Sequence, residues 1–311
     1  NEEAFKNIFL ETATLEDLKG ANTKIELFGQ EYETPIFVAP VAYQKLVDVS
    51  GEVSTVLGAN AMNISMCVSS FSSSTLEEIS SYATSPLWFQ LYIQPDMNTN
   101  LKLIKKAKNL GFKALVITID APISGIRNTE QRAGFCLPNG ISAVNIKNPI
   151  QTNTNFENVF DVVSSLPTWK DIEFIKQNTK LPVILKGITS ASYAKKAVDL
   201  GIDGIIVSNH GGRTIDTLPS TIELLPKIAK AVENKIPILL DGGIRRGSDI
   251  VKAIALGASA VMIGRPIMYG LATAGALGVA HTLKILKEEL EVSMIFTGCK
   301  NIETIKALNL G

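Results

Sequence analysis

Short apolar runs rich in β-branched and aromatic residues alternate along the chain with longer stretches of helical period. The runs fall at residues 35–39, 64–68, 87–91, 114–118, 182–185, 204–207, 237–240 and 260–263. Nearly every position in them is apolar, the pattern of a strand buried on both faces, as in a parallel sheet covered by helices. Residues 101–110, 191–200, 222–232 and 249–256 read as amphipathic helices, and Gly111, Gly201 and Gly257 stand where a glycine closes a helix. Most units recur at intervals of about 22 to 33 residues. Eight such units predict the α/β class and, within it, a (β/α)8 TIM barrel. A doubly wound open sheet fits less well, because no Gly-x-Gly-x-x-Gly follows the first strand.

One interval breaks the rhythm. About 60 residues separate Asp120 from Pro182, and residues 139–160 are rich in Asn, Thr and Ser. The spacing predicts an extended loop after strand four, serving as a lid or mobile segment, or as an inert surface excursion.

Length and charge narrow the class. The 311 residues fit one barrel domain spanning residues 1–311. Thirty basic and thirty acidic residues cancel, which argues against a nucleic-acid partner. No apolar run reaches the roughly 18 residues of a membrane span. Three unpatterned cysteines, Cys67, Cys136 and Cys299, suit a reducing compartment and form neither a disulfide framework nor a zinc site. The polar, acidic start lacks the look of a signal peptide and the tail lacks a peroxisomal Ser-Lys-Leu, so a cytoplasmic protein is expected.

In barrels the carboxyl ends of the strands form the active face. The ends here carry Pro40-Val41-Ala42, Ser69, Gln90-Leu91-Tyr92, Thr118-Ile119-Asp120, Lys186, His210 with Arg213, Asp241-Gly242-Gly243-Ile244-Arg245, and Gly264-Arg265. Polar, ionisable or small residues thus occur at all eight ends. His210, one of only two histidines, is the candidate base, although a structural His capping a strand would look the same. Asp120 is its candidate orienter, or else a helix N-cap, a role that Pro122 disfavours. Lys186 is either a Schiff-base nucleophile or a fixed cation beside a ligand that gains negative charge. The glycine turns at residues 241–247 and 264–266, each with an arginine, resemble the phosphate cradle of barrels, or else tight turns with surface pairs. His281 and Met262, Met268 and Met294 read as structural.

Four segments carry a resemblance: Ser208-Asn209-His210-Gly211-Gly212-Arg213, Phe89-Gln90-Leu91-Tyr92, Leu185-Lys186-Gly187 and Asp241-Gly242-Gly243-Ile244-Arg245-Arg246-Gly247. In order and over nearly the whole chain, they resemble the FMN-dependent α-hydroxy acid oxidases and dehydrogenases. The resemblance implies that His210 is the base and Asp120 its partner. It implies that Arg127 and Arg213 hold a substrate carboxylate, that Tyr92 bonds its hydroxyl, and that Lys186 lies beside the ring of FMN. It assigns Ser69, Gln90, Thr118 and the backbone of Pro40, Val41 and Ala42 to the isoalloxazine. Ser208, Asp241, Gly243, Arg245, Gly264 and Arg265 fall to the rest of the cofactor. It further implies a homotetramer or a multiple of one.

Two departures bear on function. Family members usually begin with a further segment, containing a carboxylate-binding Tyr, that is not found before Asn1. Phe71 stands where glycolate oxidases carry Trp, which favours lactate or larger acids over glycolate. Ala42 matches true oxidases and dehydrogenases better than decarboxylating members, which tend to have Gly there. The expectation is a flavin-dependent oxidation of a small L-2-hydroxy acid with oxygen as acceptor and hydrogen peroxide as product. The competing expectations are a lactate dehydrogenase with a quinone or protein acceptor, an FMN barrel of different chemistry, and a weakened FMN-barrel binding protein.

Overall fold

The computed structural model describes residues 1–125, 127–146 and 163–311. A short helix α1 (Glu2–Lys6) precedes an antiparallel hairpin of β1 (Ile25–Leu27) and β2 (Gln30–Tyr32). Eight parallel strands follow: β3 (Ile36–Val38), β4 (Ser65–Ser69), β5 (Leu87–Leu91), β6 (Ala114–Thr118), β7 (Val183–Ile188), β8 (Gly204–Val207), β9 (Ile238–Asp241) and β10 (Ala260–Ile263). They pair in chain order, and β10 returns to β3 to close the barrel. Every strand expected from the apolar runs is present.

The outer layer holds α2 (Glu52–Ala61), α3 (Leu76–Tyr82), α4 (Met97–Asn109), α5 (Asn128–Arg132), α6 (Trp169–Asn178) and α7 (Ala191–Asp199). It continues with α8 (Thr221–Val232), α9 (Gly247–Ala255), α10 (Arg265–Phe296, bent at Ala274 and Gly275) and α11 (Ile302–Ile305). Local chemistry sets their starts: Thr168 with Asp171 and Ser220 with Glu223 form reciprocal caps at α6 and α8. Within the long interval after β6, the structure shows α5 and residues up to 146; the rest of the expected loop, residues 147–162, lies outside the described residues.

Alternation along each strand sorts the side chains. Met66, Val68, Phe89, Leu115, Ile117 and their equivalents pack outward against the helices in one large core. The positions between them point into the barrel and form a separate apolar cluster. On six of the eight strands the inward side chain two residues further along is polar: Ser69 after Cys67, Gln90 after Trp88, Thr118 after Val116, Lys186 after Ile184, Ser208 after Ile206, Asp241 after Leu239; on β3 and β10 the same place holds Ala39 and Gly264. The barrel interior is therefore an apolar floor under a polar layer. The hairpin joins the floor through Leu27 and Tyr32. The Trp88 indole donates to the Tyr32 hydroxyl at 2.9 Å, and the Phe37 and Trp88 rings lie 4.5 Å apart.

Cys67 and Cys299 are buried, Cys136 is exposed and all three are free thiols. Met262 and Met294 are buried, Met268 packs against the core, and His281 is exposed on α10. Among the described residues no helix is long and apolar enough to cross a membrane, and no cluster of metal-ligating side chains occurs.

Candidate active site

The polar layer holds two hydrogen-bonded groups. Ser69 Oγ donates to Gln90 Oε1 at 3.0 Å, and Gln90 Nε2 donates to Thr118 Oγ1 at 2.9 Å, a rail across β4, β5 and β6. From β7, the Lys186 ammonium donates to Ser208 Oγ at 2.8 Å and pairs with Asp241 at 2.9 Å. Burial opposes the charge on Lys186, but Asp241 and then Asp120 outweigh it and raise its pKa above the ordinary lysine value. This environment favours the charged ammonium over the neutral amine that a Schiff-base role needs.

His210 follows β8 in a left-handed conformation, with φ of 55°. Its Nδ1 lies 2.9 Å from Asp120 Oδ1 and its Nε2 lies 3.3 Å from the Tyr92 hydroxyl. Asp120 comes from the end of β6 and reaches the histidine over Gly187. A Cβ on Gly187 would lie 2.5 Å from the Asp120 Cβ, so only glycine fits. Burial pushes the Asp120 carboxyl upward, yet Lys186 and the His210 hydrogen bond prevail and hold it below the usual carboxylate range. Asp120 is placed to orient the His210 ring, and the next helix, α5, begins only at Asn128. Burial also raises the Tyr92 phenol, so Tyr92 stays a neutral donor. Phe71 packs on Tyr92, their rings 4.9 Å apart, and forms the wall on that side.

Arg127 and Arg213 arrive from different loops. Gly125 lets the two loops touch, since a Cβ there would meet the Arg213 carbonyl oxygen at 2.5 Å. Burial and then the neighbouring Arg127 charge lower the Arg213 pKa, the sign of two guanidinium groups sharing one space. Both face Glu130 of α5: Arg127 Nη1 lies 3.2 and 3.3 Å from its carboxylate oxygens, and Arg213 Nη2 lies 3.7 Å away. The sequence reading missed Glu130. Its signal was the three-residue spacing from Arg127, visible only once α5 is known.

At the far side Arg265 opens α10 and donates to the Gly211 carbonyl, while Arg245 pairs with Glu2 at 2.5 Å. Gly264 precedes α10, where Pro266 lacks an N–H and Ile267 and Met268 already donate to the Gly264 carbonyl, so the attraction for an anion at this end comes from the Arg265 and Arg245 side chains. Asn1 lies over Gly243 and exchanges two 2.9 Å hydrogen bonds with Asn209, pinning the loop that carries His210. Pro40, Val41 and Ala42 form a half-buried edge after β3. A second residue missed in the sequence stiffens that edge. Glu52 is fully buried and accepts from the backbone of Gln44 at 3.1 Å and of Ser73 at 2.8 Å, tying the loops after β3 and β4 together.

The residues fit FMN. Asp241 Oδ1 is buried beside Lys186 without a partner, an acceptor that ribityl hydroxyls would satisfy. The polar rail matches the hydrogen-bonding edge of a flavin ring, Lys186 meets its need for a cation, and Arg245 and Arg265 suit one phosphate.

Known proteins agree with this reading. The profile of a family described as FMN-dependent dehydrogenase matches residues 1–310. A 2-hydroxyacid oxidase of Dictyostelium discoideum is 43% identical over 309 residues, 98% of this chain and 80% of the relative. An L-lactate oxidase of Nostoc sp. is 38% identical over 98% of this chain and 87% of its own. A crystal structure of mandelate oxidase with 3,3-difluoro-2-hydroxy-3-phenylpropionic acid superposes with a TM-score of 0.91 at 39% identity, covering 99% of this chain and 88% of that one. With its barrel, its cradle for FMN and a match along nearly its whole length, the chain belongs to the FMN-dependent dehydrogenase family.

Proposed function

We propose that the protein oxidises small L-2-hydroxy monocarboxylates to 2-oxo acids, L-lactate in preference to glycolate, with dioxygen as acceptor and hydrogen peroxide as product. Residues 1–311 act as one barrel unit in this reading, and the assembly is a homotetramer. The observation that carries it is the His210–Asp120 pair, with Tyr92 beside it, opposite two arginines that can take one carboxylate. The relatives named a 2-hydroxyacid oxidase and an L-lactate oxidase support the substrate class.

Oxidation of a 2-hydroxy acid removes two protons and two electrons. FMN would be held by the polar layer, the residue 40–42 edge and the two arginines near α10, and would accept the two electrons together with one of the two protons. Arg127 and Arg213 fix the carboxylate, so reaction becomes effectively unimolecular. His210 Nε2 takes one proton while Tyr92 orients the hydroxyl. Asp120, already held ionised, stabilises the imidazolium that results. Lys186 keeps a positive charge in the layer that faces the cofactor. Phe71 in place of a larger indole leaves space beside Tyr92 for a methyl group, a preference worth about 1–3 kcal/mol.

Anaerobic mixing with L-lactate and with glycolate tests this. L-lactate is expected to bleach the flavin band faster than glycolate, and air is expected to restore it with peroxide formed. Recovery only with an added quinone would replace the oxidase by a dehydrogenase. A yellow protein that neither acid bleaches would end the substrate assignment.

A further inference from the structure

The carboxylate clamp already holds a carboxylate. Both Glu130 oxygens lie within 3.3 Å of Arg127 Nη1, and one of them lies 3.7 Å from Arg213 Nη2. We infer that Glu130 is a resident surrogate for the substrate carboxylate, which holds the two arginines together in the free enzyme and must be displaced when substrate binds. The inference rests on the reading of Arg127 and Arg213 as the substrate clamp.

Three observations carry it. The first is charge: two guanidinium groups and one carboxylate leave a single net positive charge, so exchanging Glu130 for a monocarboxylate leaves the clamp's balance unchanged. The second is an unmet donor. Arg127 Nε is buried without a partner, so Glu130 does not satisfy the fork that a bidentate ligand would fill. The third is ease of release. Glu130 and both arginines are partly exposed, so the pair is cheaply broken and the freed carboxylate can reach solvent. The neighbouring anion, Asp120, gives one oxygen to His210 and, among the described residues, pairs with neither arginine. Glu130 is thus a positioning residue that sets substrate affinity and takes no part in the chemical step.

The test uses the FMN-loaded enzyme and Glu130→Gln, a change at a partly exposed site. Propionate, which is lactate without its hydroxyl, is titrated by calorimetry, and L-lactate turnover is followed at steady state. Losing a competing exposed ion pair of about 0.5–1 kcal/mol corresponds to roughly two- to fivefold. The expected result is propionate binding tighter by that factor, KM for L-lactate lower by the same factor, and kcat within twofold of wild type. Unchanged or weaker propionate binding, or a raised KM, would overturn the inference and make Glu130 a fixed brace for the arginines. If no 2-hydroxy acid reduces the wild-type flavin, the proposed function fails by itself, and the propionate titration still decides the role of Glu130.

Discussion

Replacing Lys186 with Met removes the cation of a buried pair. The Lys186 side chain is 5% exposed and that of Asp241 is 11% exposed, so water cannot take over. Asp241 Oδ1 already lacks a partner, and the substitution would leave Oδ2 without one as well. Breaking a buried pair from one side costs about 3–5 kcal/mol, because the remaining charge is uncompensated. With an unfolding entropy near 2.1 cal/mol/K per residue, a chain of 311 residues should lose roughly 5–8 °C in Tm. Adding Asp241→Asn removes the stranded charge and should recover about half of the loss. Thermal unfolding of the cofactor-free protein, followed by circular dichroism for wild type, both single variants and the double variant, closes the cycle. A Lys186→Met shift under about 2 °C, or a double variant no more stable than Lys186→Met, would refute the argument.

Two further outcomes are expected. Tyr32→Phe leaves the Trp88 indole N–H buried without its acceptor and should cost about 1–3 kcal/mol in urea unfolding, with L-lactate KM unchanged. Asp120 has its pKa depressed in the folded state, so the stability it contributes is fully present above the unfolded value near 3.9 and is lost as pH falls through the lower folded value. Asp120→Asn should therefore flatten the acid limb of the stability profile below about pH 4, read by unfolding at a series of pH values.

The barrel was legible because strands buried on both faces read as unbroken apolar runs, and because strand ends converge on one face. That second rule located Lys186, His210 and Asp241 without any contact being known. What escaped depended on short or polar elements. The strands of the β1–β2 hairpin are three residues each, and its Phe28-Gly29 turn has no Asn-Gly signature. The start of α4 lies at Met97, ahead of the expected residue 101, because Asp96 caps it and the next three residues, Asn98, Thr99 and Asn100, are polar. Glu52 and Glu130 look like ordinary solvated helix-start acids in the sequence. Only packing turns the first into a buried brace and the second into a partner of both Arg127 and Arg213.

The apolar floor under the polar layer has a consequence for ionic strength. Lys186 and Asp241 sit above a dry barrel interior, where mobile ions do not enter and fields are barely screened. The arginine clamp, with Arg213 48% exposed, lies within reach of dissolved salt, whose screening length is about 8 Å at physiological strength. Added sodium chloride should therefore raise KM for L-lactate while leaving the rate of flavin reduction at saturation unchanged. One barrel would in this way keep its recognition and its chemistry in two different dielectric worlds.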